Sequence, residues 1–185
     1  MGRWSFSKKD CVEDCLVLDS KFLRREGYFD QPRNGILNWY RNEQKRASIS
    51  IKNEWNYQYT EVTGLRLEYT STNRFTDEKT ESNYVISLSR DPCRFGGYRF
   101  YFICPLTKNG ITCRRRTTKL YIASGYTYFG CRMCYNLTYR SVQEHDNRVS
   151  KLMKNPWVLE QMLNSPDWKD KLLALKASLL LDNEL

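Results

Sequence analysis

A pair of cysteines two residues apart, Cys131 and Cys134 in GCRMCYNLTY, constrains this chain more than any other feature. Cys-x2-Cys is a tight turn that can offer two thiolates to one ion, so a matching pair is expected elsewhere. Upstream, YFICPLTKNGITCRRR holds Cys104 and Cys113, and the array reads Cys104-x8-Cys113-x17-Cys131-x2-Cys134. Pro105 after Cys104 suits a turn whose backbone N–H groups point at sulfur. The eight-residue gap is longer than the usual two to four. Asn109–Gly110 at its centre predicts a hairpin that returns Cys113 to the neighbourhood of Cys104. The 17 residues between the pairs read as two strands and a turn at Ala123–Gly125, the body of a zinc ribbon. Cys93 is an alternative fourth ligand in place of Cys113, and His145, the lone histidine, is a lesser one.

Seven cysteines, an odd number, argue against a complete disulfide framework. With no apolar amino-terminal segment, they point to a reducing, cytoplasmic setting. The MGRWSF start misses the myristoylation pattern because position 6 is Phe6. No apolar run approaches the ~20 residues that span a bilayer, so no membrane association is expected. A thioredoxin-like role for CRMC is disfavoured, because the pair does not open a long helix after a strand.

The remaining pattern predicts an α+β chain. A helix is expected over about 11–25, with Asp10 and Glu13 as cap and partner, periodic apolar residues at Val12, Cys15, Leu16, Phe22 and Leu23, and Gly27 as its stop. Strands are expected at Gly35–Tyr40, Ala47–Lys52, Tyr57–Tyr59, Gly64–Thr70 and Tyr84–Ser89, forming an antiparallel meander with one wet face. DPCRFGG is a turn-rich joint, followed by the aromatic strands YRFYFIC, TKLYIAS and YTYFGC. Ser141 and Glu144 predict a helix over about 142–154 ended by Pro156, and Ser165–Pro166 starts another. On that last helix Trp168, Leu172, Leu175 and Leu179 share a face. The expected organisation is a helix-plus-sheet domain over 1–91, the ribbon over 92–140 and a helical segment over 141–185.

Charge is concentrated on the ribbon. Residues 90–140 carry ten Lys/Arg and one acid, Asp91, a net +9, while the other 134 residues hold 20 bases and 20 acids. Arg114, Arg115 and Arg116 leave the first cysteine pair together, and strand alternation would put Arg114 and Arg116 on one face. Lys119 and Arg132 extend this surface, and Tyr121 and Tyr128 are among the eleven aromatics interleaved with it. Cations for phosphate and rings for bases predict a DNA- or RNA-binding surface. A closed four-thiolate site leaves no position open for water, and no nucleophile elbow or phosphate-binding loop is present, so a non-catalytic role is expected. The carboxylates Glu54, Glu61 and Glu68 are the only material for a nuclease. The rival reading is a protein-binding adaptor or inhibitor docking onto a host nucleoprotein or defence complex. The apolar last helix would then serve a protein partner or a homodimer.

PCRFGGYRFYFICP, CRRRTTKLYIAS and CRMCYNLTYRS together resemble a set of small bacterial and phage-like, mobile-element proteins with a four-cysteine zinc ribbon. These share Pro-Cys-x-x-Gly-Gly, Cys-Pro, Lys-Leu-Tyr and Cys-Arg-x-Cys-x-x-Leu-x-Tyr motifs, and Val12–Leu16, VEDCL, fits them as well. The likeness covers most of residues 1–145 and is strongest over 92–141. It implies zinc on Cys104, Cys113, Cys131 and Cys134, with the first pair expanded before the cysteine that precedes Arg-Arg. It implies a mobile-element setting and no particular activity.

Overall fold

The computed structural model describes residues 8–72 and 77–182. The MGRWSF pattern lies outside them, as do the side chain of Glu144 and residues 73–76 of the TSTNRFTDEKTESN connection. The chain divides into two compact units, 1–139 and 140–185. The first is built on a six-stranded antiparallel sheet: β2 (Asn34–Arg41), β3 (Gln44–Trp55), β4 (Val62–Thr72), β5 (Lys79–Pro92), β6 (Tyr98–Ile103) and the short β9 (Arg116–Thr117), in that spatial order. β5 ends inside the turn-rich joint, whose residues 93–97 turn the chain into β6, and the two strands pair, Leu88 opposite Phe102, so the sheet continues toward the cysteine segment.

The register explains the alternation. Ile49 and Ile51 pair with Leu37 and Leu67 respectively, Leu65 with Ile86, and Leu88 with Phe102, which puts one apolar face inside. Ser50, Lys52, Arg66 and Glu68 fall on the other face, which is the expected wet one. Over the inner face lie β1 (Leu16–Asp19), which pairs antiparallel with β10 (Lys119–Ile122), and the helix α1 (Ser20–Arg25). Leu18, Leu23, Phe29, Leu120 and Phe129 complete that core. Burying one such side chain contributes about 1.5–3 kcal/mol.

Three expectations need correction. The helix over 11–25 is a 3₁₀ turn (Val12–Asp14), strand β1 and the six-residue α1, capped by Asp19, whose side chain accepts from Lys21 N–H. Residues 16–19 are claimed by the backbone of β10, and a ladder with an available partner overrides a weak local helical period. The stop at Gly27 holds, with φ at +76°. Tyr57–Tyr59 is the turn between β3 and β4 rather than a strand, tied by Asn56 Oδ1 accepting from Thr60 N–H at 2.9 Å. The YTYFGC stretch joins β10 only through a single bridge from Gly130 to Tyr121.

The second unit is helical: α2 (Arg140–Glu144), α3 (Asn147–Met153), α4 (Pro156–Leu163) and α5 (Trp168–Asp182). The expected helix over 142–154 is split, because Asp146 caps α3 by accepting from Arg148 N–H at 3.0 Å, leaving His145 in the break. α4 was not expected, although Asn155 followed by Pro156 is a helix start: proline at the first helical position loses no intrahelical bond.

One buried polar side chain fixes the way into the sheet. Asn53 on β3 donates to the carbonyls of Tyr28 and Gln31, both at 2.6 Å, and its Oδ1 accepts from Arg33 N–H at 2.7 Å. Asn53→Leu would strip all three partners from the 28–33 loop. A loss of about 2–4 kcal/mol is expected in a urea melt, since buried orphaned backbone groups cost about 1–3 kcal/mol each.

Candidate metal centre

Cys104 emerges directly from the end of β6, so the strand that carries Phe100 and Phe102 into the core also sets the position of the first thiol. The next eight residues resolve the long gap. Leu106 carbonyl accepts from Cys113 N–H at 2.8 Å, and between them β7 (Thr107–Lys108) and β8 (Ile111–Thr112) form a closed hairpin. Its turn is Asn109–Gly110, with φ of +52° and +77°, the left-handed pair a two-residue hairpin requires. The first cysteine turn is therefore Cys104-Pro105-Leu106-Cys113 with a six-residue hairpin inserted before the second thiol.

The second turn is delivered by the loop after β10. Tyr69 Oη donates to Thr127 carbonyl at 2.6 Å, and Tyr84 Oη accepts from Phe129 N–H at 2.9 Å, so two tyrosines of the sheet hold residues 127–129. Burial raises both phenols above their ordinary range. A Cβ on Gly130 would collide with the Leu106 side chain and lie 2.9 Å from Tyr135 Cε2, so a larger residue there would push these side chains aside between the two turns. Neither tyrosine nor Gly130 was singled out from the sequence. The glycine before the first cysteine was a readable signal, whereas nothing local marks Tyr69 or Tyr84.

The four sulfurs of Cys104, Cys113, Cys131 and Cys134 lie within 4.8 Å of one another. Cys104 and Cys134 are 3.9 Å apart, as are Cys113 and Cys131. Four thiolates at about 2.3 Å from a tetrahedral ion would be separated by about 3.8 Å, so the set fits a tetrahedral cation. Cys131 N–H donates to Cys104 Sγ at 3.3 Å. Backbone N–H groups also stabilise the sulfurs in both turns, from Leu106 toward Cys104 and from Cys134 and Met133 toward Cys131. The Cys131 thiol is lowered to about 4, chiefly by the hydrogen bond from the Cys104 thiol. Cys104, the donor of that bond, is pushed well up, and burial raises Cys134 to about 12. These thiols share protons tightly, and a cation that takes their place can be held by four charged sulfurs.

The other candidates lie apart. Cys93 is exposed in the turn closed by its own N–H donating to Gly97 carbonyl, so Cys113 and not Cys93 completes the set. Cys11 and Cys15 are buried together outside it, the Cys15 thiol donating to Cys11 carbonyl at 3.3 Å. His145 is exposed and within hydrogen-bond reach of Asn147. Glu54 pairs with Arg66 at 2.7 Å, Glu61 with Arg90 at 3.0 Å, and Glu68 accepts from Asn83, so the three carboxylates each face a separate partner.

The cationic residues divide into two groups. Arg116 pairs with Asp91 at 2.7 Å and lies 4.5 Å from the Tyr101 ring centroid, and Lys119 pairs with Asp19 at 3.5 Å. Arg114 takes a left-handed φ of +50°, and the strand begins only at Arg116, so the expected shared face of Arg114 and Arg116 does not form. Arg114 and Arg115 are exposed and, with Lys108 on the inserted hairpin, form no ion pair among the described residues. Arg132 sits 5.0 Å over the Tyr139 ring. Tyr121 is only 7% exposed and packs with Val12, Cys15, Ala123 and Leu137, whereas Tyr128 is half exposed with its edge against Tyr84. Comparison with protein-family models, with curated proteins and with solved structures gives no match to this chain.

If the inserted hairpin is dispensable to the site, deleting residues 107–112 and joining Leu106 to Cys113 should leave one metal ion per chain by elemental analysis. Cys131→Ser should abolish that ion, and Cys93→Ser should leave it in place.

Proposed function

We propose that this is a non-catalytic zinc-ribbon protein that binds nucleic acid through the cations around its cysteine turns. Zinc is the ion favoured by four thiolates in a closed tetrahedral set. Its role there would be structural, since all four positions would be filled by protein. The observation that carries the binding reading is where the unpaired charge falls. Within the strongly basic 90–140 segment, Arg90, Arg116 and Lys119 are neutralised by carboxylates, Arg94, Arg99 and Arg132 lie over rings, and Lys108, Arg114 and Arg115 flank Cys113, exposed and with no ion pair among the described residues.

Four of the eleven rings of this segment lie under its own cations. Arg90 lies over Tyr98 at 4.2 Å, Arg94 over Phe95, Arg99 and Arg116 over Tyr101, and Arg132 over Tyr139. Ring faces occupied in this way are poorly placed to stack on bases. The reading therefore favours phosphate contacts over base readout, and sequence-general binding of DNA or RNA.

The expected metal is one zinc per chain, and a folded, metal-free preparation would overturn that part of the proposal. Zinc-loaded protein should retain labelled single- or double-stranded nucleic acid at low salt. Its affinity should fall with salt by a log–log slope of about 0.7–0.9 per phosphate contact. Arg114→Ala/Arg115→Ala should flatten the slope by up to ~2 and weaken binding about equally on all sequences, with zinc content unchanged. No retention of either DNA or RNA at low salt would sink the nucleic-acid reading and leave the zinc site standing.

A further inference from the structure

α5 is apolar on two opposite faces. One face carries Leu173, Ala174 and Ala177. The two alanines are fully buried, and Leu173 and Ala177 pack with Val149 and Leu152 of α3 and Leu159 and Met162 of α4. At 3.6 residues per turn, Trp168, Leu172, Leu175 and Leu179 fall within about 60° of arc centred opposite Ala177. They are 67%, 59%, 52% and 64% exposed. Their spacing of four, three and four residues is that of a coiled-coil seam, about 17 Å long. A helix that needed only the α3–α4 core would carry polar residues on this face.

The charges beside the seam select its occupant. Lys169 and Lys176 border it on one side and Lys171 on the other, all exposed. Of the nearby carboxylates whose side chains are described, Asp170 faces Ser165, whose hydroxyl donates to it at 3.3 Å, Asp167 caps the helix by accepting from Lys169 N–H, and Asp146, the cap of α3, is bonded to Arg148 and feels the charge of Lys176. A second copy of α5 fits poorly. Parallel pairing would set Lys171 against Lys176 of the other copy, and antiparallel pairing of the whole seam would set Lys169 against Lys176 on one flank. A phosphate backbone would meet the lysines but gain nothing from four apolar side chains. We propose that this face of α5 docks an amphipathic helix of another protein, with an apolar seam flanked by Glu or Asp.

Two synthetic probes test this with the full-length, metal-loaded chain: a 21-residue helical peptide with a leucine seam flanked by glutamate, and the same peptide flanked by lysine. The glutamate peptide should bind one per chain, more weakly as salt rises, and the lysine peptide at least about tenfold less tightly. Leu172→Ala/Leu175→Ala should weaken the glutamate peptide at least about tenfold while leaving the circular dichroism spectrum unchanged, alanine being the best helix former. Lys169→Glu/Lys171→Glu/Lys176→Glu should reverse the preference between the peptides. Arg114→Ala/Arg115→Ala should leave peptide binding unchanged, which separates this surface from the nucleic-acid surface. Equal binding of both peptides, or of neither, overturns the proposal. So does a dimer of the protein alone in sedimentation equilibrium that Leu172→Ala/Leu175→Ala makes monomeric.

Discussion

The end of the first unit that carries the cysteines depends on four sulfurs converging from two turns. Cys104 and Cys131 are at once thiol donors and fully enclosed members of the main core. Around them the secondary structure is sparse: β7, β8 and β9 have two residues each, and β10 has four. A few ladder bonds of this kind cannot offset the ordering entropy of some thirty residues, at roughly 1–2 kcal/mol each for backbone alone. A structural zinc can contribute on the order of 10–16 kcal/mol, comparable with the whole stability of an ordinary domain. The β2–β5 meander has long strands and its own buried face, and it does not need the site. The 104–138 segment, with Leu120 and Phe129 as its other anchors in the core, would gain most from an ion at the site, as would what rests on it. β1 is held by β10, and the amino-terminal turn is held by Val12 N–H donating to Thr138 carbonyl at 2.9 Å.

The same convergence shapes the electrostatics. If the site holds a doubly charged cation, its four thiolates leave −2, which would offset part of the +9 of the basic segment at short range. Carboxylates at Glu61, Asp91 and Asp19 remove three more cations from play. The surface left for a polyanion is therefore narrower than the composition implies. On the proposed reading it would centre on Lys108, Arg114 and Arg115 beside the first cysteine turn, with Arg132 in the second, while Arg94 and Arg99 lie at the turn into β6. The inserted hairpin extends that surface, since it places Lys108 at the position opposite an exposed Ile111 on a rigid two-residue turn.

What could be read in advance follows from how many alternatives each residue type allows. Clustered cysteines without disulfide partners have few uses, so Cys104, Cys113, Cys131 and Cys134 were legible from spacing, and Asn109–Gly110 announced the hairpin that closes the long gap. RASISIK, GLRLEYT and YVISLS alternate cleanly and became β3, β4 and β5. The amino-terminal segment was not legible. Apolar residues at 12, 15, 16, 22 and 23 satisfy a helical period, yet the deciding fact is a free backbone edge at β10, a hundred residues away. Tyr121 illustrates the same limit. A tyrosine between basic residues can be a surface ring or a core ring, and only the β1–β10 pairing places it against Cys15 and Leu137. For the arginines, composition supplied the total charge, but which of them find a carboxylate depends on the register of β5, β6 and β9.

The second unit poses a different question, because its sequence is more apolar than its own core requires. It spans 46 residues, a length at which a single small core gives marginal stability. α3 and α4 cover one side of α5, through Val149, Leu152, Leu159 and Met162. The seam on the other side contributes nothing to that core and leaves Trp168 and three leucines in water. A helix with matching leucines and acidic flanks would bury this seam and neutralise Lys169, Lys171 and Lys176 in the same event. Because it would bind only the folded unit, its docking would also raise that unit's stability by mass action. On that proposal the exposed seam and the marginal core would be linked, the helices gaining stability when a partner is present.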